Sequence, residues 1–325
     1  MPFSMRSNTR KSKTKAMGKA IRRSPEFSVS LPATSANLGP GFDAAALAFD
    51  LRLKVSARPA NEFSLSASGR DSVVCGTLEN NLIVSTYREV LQSSNLPVIP
   101  LALRIENRAP IGKGCGSSAS ARLAGIALAN HFGRLRWTDS KIVGEASRRE
   151  HHPDNAAACW MGGVAVAKML GDGDARTARI VPKGKWPLLF AVPDHALSTE
   201  EARRVLPEQY SRADVVINIQ NSMLLLAALV QGRPDLLASA LEDRIHQPYR
   251  AALCPLLPAL QKLAGSPGIL GAVLSGAGPS VLVFLDPKAK VNPVKSRIGS
   301  HLRACGLAAE LISTTIDLRG RILGK

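Results

Sequence analysis

Three glycines at alternate positions, Gly112, Gly114 and Gly116, lie in the stretch Pro110-Ile111-Gly112-Lys113-Gly114-Cys115-Gly116-Ser117-Ser118-Ala119-Ser120-Ala121. Glycine lets a backbone turn its N–H groups toward a ligand that a Cβ would hold off. Ser117 and Ser118 stand where a helix N-cap is expected, and small apolar residues follow, so the loop should feed straight into a helix. Unpaired amides and the positive end of a helix dipole then meet at one point, which is chemistry suited to phosphate. The Walker pattern is absent, because Gly112-Lys113 is followed by Gly114. Gly114, Gly116 and Ala119 fit G-x-G-x-x-A, with Asp139 twenty residues beyond, as in dinucleotide-binding folds. That alternative, an NAD-dependent oxidoreductase, requires regular βαβ repeats, which the chain lacks.

Two further stretches share this composition. Pro32-Ala33-Thr34-Ser35-Ala36-Asn37-Leu38-Gly39-Pro40-Gly41-Phe42-Asp43 reads as a turn-rich loop after a strand that Pro32 ends, with small polar groups and one carboxylate. Leu274-Ser275-Gly276-Ala277-Gly278-Pro279-Ser280 reads as a tight loop between two strands. Three glycine-rich polar loops at strand ends suggest one shared ligand, because such loops can converge.

The elements that must carry these loops follow from alternation and helical spacing. Phe27, Val29 and Leu31 alternate, as do Phe49, Leu51, Leu53 and Val55, and then Phe63, Leu65 and Ala67. Leu82, Ile83, Tyr87, Val90 and Leu91 recur at helical spacing, and Leu101 to Ile105 is a strand before the glycine loop. Gly162-Gly163 precedes an apolar strand, Val164 to Ala167. Residues 171–186 are polar and poor in pattern, and a domain boundary is placed there. Leu188 to Val192 opens the second half. Helices are expected at 199–206, 212–231, 234–246 and 291–305, and a last strand over Ala308 to Ile316. Paired strands with helices between them indicate an α+β fold rather than a doubly wound sheet.

Composition limits the function. The 325 residues are 45% hydrophobic and 21% charged, which is globular. The net charge of +17 invites a nucleic-acid reading, but eight of the cations and no acid lie in residues 1–25. That tail offers only Phe3 as an aromatic to interleave with its cations, so a basic RNA-binding protein is the weaker alternative. Residues 1–25 read as a disordered basic tail, with Met17 as a possible start; an organelle transit segment has a similar composition. Five scattered cysteines without C-x-x-C argue for a reducing cytoplasm and no zinc site. The uncharged span Ser266 to Leu285 is long enough to raise a membrane question, but its glycine-proline centre makes two buried strands the better reading.

The three stretches, in this order and spacing, resemble motifs one, two and three of the GHMP small-molecule kinases. The first stretch resembles the homoserine kinase branch specifically. So do His152-Pro153-Asp154-Asn155 followed by Gly162-Gly163, Ala202-Arg203 with Leu206-Pro207, and His246-Gln247-Pro248-Tyr249-Arg250. The resemblance covers nearly all of the chain beyond residue 25. It implies an N-terminal domain (26–180) like the second domain of ribosomal protein S5 and a ferredoxin-like C-terminal domain (181–325), with ATP between them. It also implies Mg²⁺, a homodimer, and transfer of the ATP γ-phosphoryl to the side-chain hydroxyl of L-homoserine; another small alcohol is the alternative within the superfamily.

Residue roles follow in that frame. Residues 110–120 should wrap the triphosphate through their amides. Ser118 with Glu150 is the expected Mg²⁺ pair, and Glu145 is the competing carboxylate. Asn81 corresponds to the position near adenine, or is an ordinary helix N-cap. A zwitterionic substrate needs a carboxylate at its ammonium, for which Asp43 and Asn37 stand, and a cation at its carboxylate, for which Arg203 and Arg250 stand. His152 is either a substrate contact or a structural histidine. No obvious general base stands where mevalonate kinases are thought to use an aspartate, and Asn155 lies near that stretch, so no essential base is expected, and Asn155 and Arg203 are the candidate catalytic groups. Three departures stand out: Cys115 where the family usually has leucine, the extra cation Lys113, and His151 where glycine is common.

Overall fold

The computed structural model describes residues 26–171 and 174–324; the tail expected over 1–25 lies outside them. The chain order is β1 (Phe27–Asn37), β2 (Gly41–Pro59), β3 (Ser64–Gly69), α1 (Ser72–Gly76), α2 (Leu82–Ser93), β4 (Leu101–Asn107), α3 (Ser117–Phe132), α4 (Asp139–Glu150), α5 (Asp154–Met161), β5 (Val164–Met169) and β6 (Ala175–Ile180). It continues with β7 (Pro187–Val192), α6 (Thr199–Arg204), α7 (Arg212–Gln231), α8 (Pro234–Ala240), α9 (Gln247–Arg250), α10 (Leu256–Gln261), β8 (Ile269–Leu274), β9 (Val281–Leu285), α11 (Val291–Ala304), β10 (Glu310–Thr315) and β11 (Ile322–Gly324).

The fold is α+β and is built on two sheets. The first runs β11-β1-β2-β4-β3, with β5 on β2 and β6 on β5, and only β3–β4 is parallel. The second is antiparallel, in the order β10-β7-β9-β8. One core lies between the first sheet and helices α2 to α5, built on Val29, Leu31, Tyr87, Leu123 and Trp160. A second core joins the two sheets, where Phe49 meets Phe190 with ring centroids 4.1 Å apart. A third packs α10 and α11 on the far face of the second sheet. With few aromatics, these cores rest on Leu, Val, Ile and Ala.

Four expectations are corrected. Pro32 does not end its strand: β1 continues to Asn37, and only residues 38–40 turn. The register of β1 on β2 shifts between Pro32 and Ala33, so the ladder is already irregular where proline has no donor to give. The supposedly patternless 171–186 contains β6, which reads as polar because it is an edge strand paired only with β5. The helix expected over 234–246 stops at Ala240, because the Asp243 carboxylate takes the amides of Ile245, His246 and Gln247 and bends the chain. Finally, the chain end returns to the first sheet as β11. Buried Arg52 holds that return by donating to the Asp317 carboxylate and the Gly320 carbonyl. Ser266 to Leu285 is two strands about a loop, as read from the sequence.

Candidate active site

The three glycine-rich stretches meet at one cleft. Thr34 N donates to Cys115 O at 3.2 Å, Gly276 N to Ala36 O at 3.1 Å, and Ser275 Oγ to Gly114 O at 2.6 Å. Asn37 Nδ2 donates to Gly276 O at 2.8 Å. The loops therefore form one body rather than three independent flaps. Glycine is required twice. A Cβ on Gly114 would lie 2.2 Å from Ser275 O, and one on Gly116 would lie 1.9 Å from Thr34 Oγ1, with both residues at left-handed φ.

Gly116 is the N-cap of α3, supplies no side-chain cap, and is followed by a first turn without an acid. The first-turn amides of this 16-residue helix thus face the cleft, together with the positive end of its dipole. Gly112, Gly114, Gly116, Ser117 and Ser118 line the cleft. Ile111 and Ser120 line an adjoining apolar hollow with Asn81. Pro110 begins the loop, Cys115 and Ala119 point into the core, and Lys113 borders neither space. Burial pushes the Cys115 thiol up to about 12, so it packs as a small hydrophobe.

Ser118 Oγ donates to Glu150 Oε1 at 2.7 Å, and Arg122 Nε holds the same oxygen at 2.5 Å. Glu145 lies outside the cleft. It is buried, yet hydrogen bonds from Arg148, Arg149 and Lys141 overcome the cost of burial and bring its pKa down to about 2. Its charge is spent within α4. Asn81 is the N-cap of α2, accepting from Ile83 N and Val84 N, as one of its two sequence readings had it, and it also borders the hollow.

α5 delivers the next group. Asp154, buried at its start, accepts from Asn155 N at 2.6 Å and pairs with His152 Nδ1 at 2.8 Å. Burial disfavours the His152 imidazolium, but the hydrogen bond and charge of Asp154 outweigh this and raise its pKa. Asn155 Oδ1 accepts from Thr34 Oγ1 at 2.6 Å. Its Nδ2 has no partner among the described residues, so Asn155 offers the cleft a donor.

The other end of the cleft is built from both halves of the chain. Asp43, at φ 51, is held by its amide on Asn37 Oδ1 at 3.0 Å. Arg203 Nη2 reaches both Asp43 oxygens, at 2.8 and 3.0 Å. Buried Arg250 donates Nε to Ala202 O at 2.9 Å and Nη1 to His246 Nδ1 at 3.2 Å. Burial and the neighbouring Arg203 charge lower its pKa. His246 gives Nε2–H to Gly39 O at 2.8 Å, which leaves Nδ1 as the acceptor; burial holds the ring neutral, with a pKa of about 4. Phe42 lies under both guanidinium groups, 5.6 and 5.3 Å from its ring. The sequence reading placed Asp43 and Arg203 at opposite poles of a ligand, and here they are paired with each other.

Thr34, Phe42 and Thr199 also line or frame the cleft and were not singled out from the sequence. Thr34 lay inside a motif already marked, and Thr199 follows the N-cap Ser198 of the helix that carries Arg203.

Fold and site together define a GHMP-type kinase. Models of the GHMP kinases N terminal domain and of GHMP kinases C terminal match residues 81–163 and 225–304. A homoserine kinase of Solibacter usitatus (strain Ellin6076) is 41% identical over 294 residues, covering 90% of this chain and 96% of that one. A homoserine kinase of Synechocystis sp. is 37% identical, covering 92% and 98%. The chain belongs to the homoserine kinase family and is an ATP-dependent phosphotransferase with an alcohol as acceptor. The fold is shared with the crystal structure of homoserine kinase from Cytophaga hutchinsonii, at TM-score 0.78 and 22% identity over 98% of this chain and all of that one. It is shared more distantly with mevalonate diphosphate decarboxylase from Staphylococcus aureus, at TM-score 0.65 and 13% identity over 92% of this chain and 98% of that one.

Proposed function

We propose that this chain phosphorylates the side-chain hydroxyl of L-homoserine, giving O-phospho-L-homoserine for threonine biosynthesis. The observation that carries the reading is the meeting of an uncapped, acid-free helix N-terminus with Asp43, Arg203 and Arg250 in one cleft. The loop amides of 110–120 bind the triphosphate, with adenine in the hollow beside Asn81. The ammonium of the substrate goes to Asp43, with Asn37 shaping that turn, and its carboxylate to Arg203 and Arg250. Asn155 donates to the phosphoryl oxygens in transit, Arg203 holds the acceptor in line, and His152 is held by Asp154 at the edge of the acceptor site. Positioning and charge stabilisation suffice for a loose phosphoryl-transfer transition state.

Ser118 and Glu150 fit Mg²⁺, because they place two hard oxygens side by side, and this ion takes few protein ligands when phosphates supply the rest. Bound there, Mg²⁺ would neutralise phosphate charge. We place ATP binding in 26–180 and the acceptor-holding arginines in 181–325. A cytoplasmic homodimer completes the reading; Val215, Ile219, Met223 and Val230 form an exposed apolar stripe on α7 that a second copy would have available. The test is ADP release against homoserine, serine, threonine, mevalonate and shikimate, with and without Mg²⁺. Turnover with mevalonate or shikimate in preference to homoserine would overturn it.

A further inference from the structure

The turn that presents Asp43 is under tension. Asn37, Leu38 and Asp43 all sit at left-handed φ, of 72, 48 and 51°; Asn and Asp visit that region readily, but a leucine holds it only when its surroundings over-determine it. The surroundings come from α7. Asn218 Nδ2 donates to Pro40 O at 2.8 Å, and Ser222 Oγ reaches the same carbonyl at 2.8 Å. Ser222 has a single proton and also reaches Asn218 O at 2.7 Å, so Asn218 is the committed donor. Its other end accepts from Arg244 N at 3.2 Å. A carbonyl on one side and an N–H on the other fix the orientation of the amide.

These bonds close a ring through the acceptor site. Pro40 leads to Asn218, Asn218 to Arg244, and two residues on His246 holds Gly39 O and accepts a hydrogen bond from Arg250. Arg250 holds Ala202 O, and the next residue, Arg203, pairs with Asp43 three positions after Pro40. We propose that Asn218 is a positioning residue that sets the distance between Asp43 and the Arg203–Arg250 pair, and with it the recognition of an amino-acid acceptor. The proposal rests on the reading of the cleft as an amino-acid kinase site. Asn218 touches no reacting atom and stands in none of the three glycine motifs.

Asn218→Asp tests it. The substitution keeps the oxygen that accepts from Arg244 N and replaces the donor to Pro40 O with a second oxygen. The expected result is a fall in kcat/KM for homoserine of roughly ten- to a hundred-fold, as for a misplaced binding group, with KM for ATP and acceptor-independent ADP release unchanged. Amide hydrogen exchange over 38–43 and 243–250 should quicken while 110–120 stays as in the wild type. Ser222→Ala, which leaves the committed donor in place, should give a smaller change of the same kind. An unaltered homoserine KM, or equal losses for homoserine and ATP, would overturn the proposal. If the wild type does not turn over homoserine, the substrate reading fails by itself, and the exchange pattern still decides whether Asn218 fixes the two segments. If Asn218→Asp does not fold, Asn218→Ala, which removes both bonds without adding a charge, decides by the same KM split and exchange pattern.

Discussion

Without substrate, Asp43 and Arg203 satisfy one another, with side chains about one-third exposed. A zwitterion that enters must part them, and it replaces one ion pair by two. An acceptor with only a carboxylate, such as 4-hydroxybutyrate, takes Arg203 and leaves Asp43 with no partner. An acceptor with only an ammonium, such as 3-aminopropan-1-ol, does the converse. The difference between homoserine and either analogue is one charged hydrogen-bonded pair, about 1.5–3 kcal/mol. This corresponds to roughly 10- to 150-fold in kcat/KM. The diagnostic variant is Asp43→Asn. It removes the competitor for Arg203, so kcat/KM for 4-hydroxybutyrate should rise above wild type while that for homoserine falls by about the same 10- to 150-fold. Coupled ADP-release kinetics with the three acceptors on both proteins measure this crossing. If 4-hydroxybutyrate and homoserine lose equally in Asp43→Asn, the carboxylate does not compete for Arg203 and the exchange argument is wrong.

Other perturbations separate the remaining parts. Gly116→Ala drives a Cβ into Thr34 Oγ1 at a left-handed position and should cost about 2–4 kcal/mol of stability, read by urea unfolding, along with most of the activity. Glu150→Gln should raise the Mg²⁺ concentration for half-maximal rate roughly ten-fold, whereas Glu145→Gln should leave it unchanged and lower only the melting temperature. His246 is buried with a pKa of about 4, below its unfolded value near 6.5, so its contribution to stability is complete above pH ~6.5. It declines as pH falls toward 4, by about 3 kcal/mol in all, and His246→Gln should flatten that part of a melting-temperature profile. His152 has the opposite sign: its raised pKa gives stability that is present below pH ~6.5 and lost as pH rises through the folded value.

The glycine motifs were legible because each answers to a local demand. Gly114 and Gly116 sit where any Cβ would strike another loop, so the pattern survives translation into sequence. His151 was equally legible as a departure: it caps α4 at φ 63, a conformation that favours glycine. What could not be read was long-range. The pairing of Asp43 with Arg203, 160 positions apart, depends on how α6 lies over the first turn, and no local pattern encodes that. The short return strand β11 was invisible for a similar reason: it is three residues long, and it is fixed by a buried ion pair to Arg52 far upstream. Pro32 misled because a proline normally ends a strand, while here a register shift in the partner absorbs it.

The same geometry bears on where the hydroxyl proton goes. Three carboxylates line the cleft: Asp43, Glu150 and Asp154. Asp43 is taken by Arg203 and, once substrate has parted that pair, by the substrate ammonium; Glu150 is taken by Ser118 and Arg122, and Asp154 by His152 and an amide. Asn155 has its oxygen turned to Thr34 and its NH₂ to the cleft, so it offers a donor there and no basic group. We therefore propose that the proton leaves to a phosphoryl oxygen or to water, and the pH–rate profile should show no ionisation assignable to a base. Asp154→Asn is the decisive variant, because His152 and the Asn155 amide keep an oxygen to bind. It should retain turnover within about a hundred-fold, the lower range of general-base contributions. Loss of all turnover with ATP and homoserine binding intact would make Asp154 the base and refute this account.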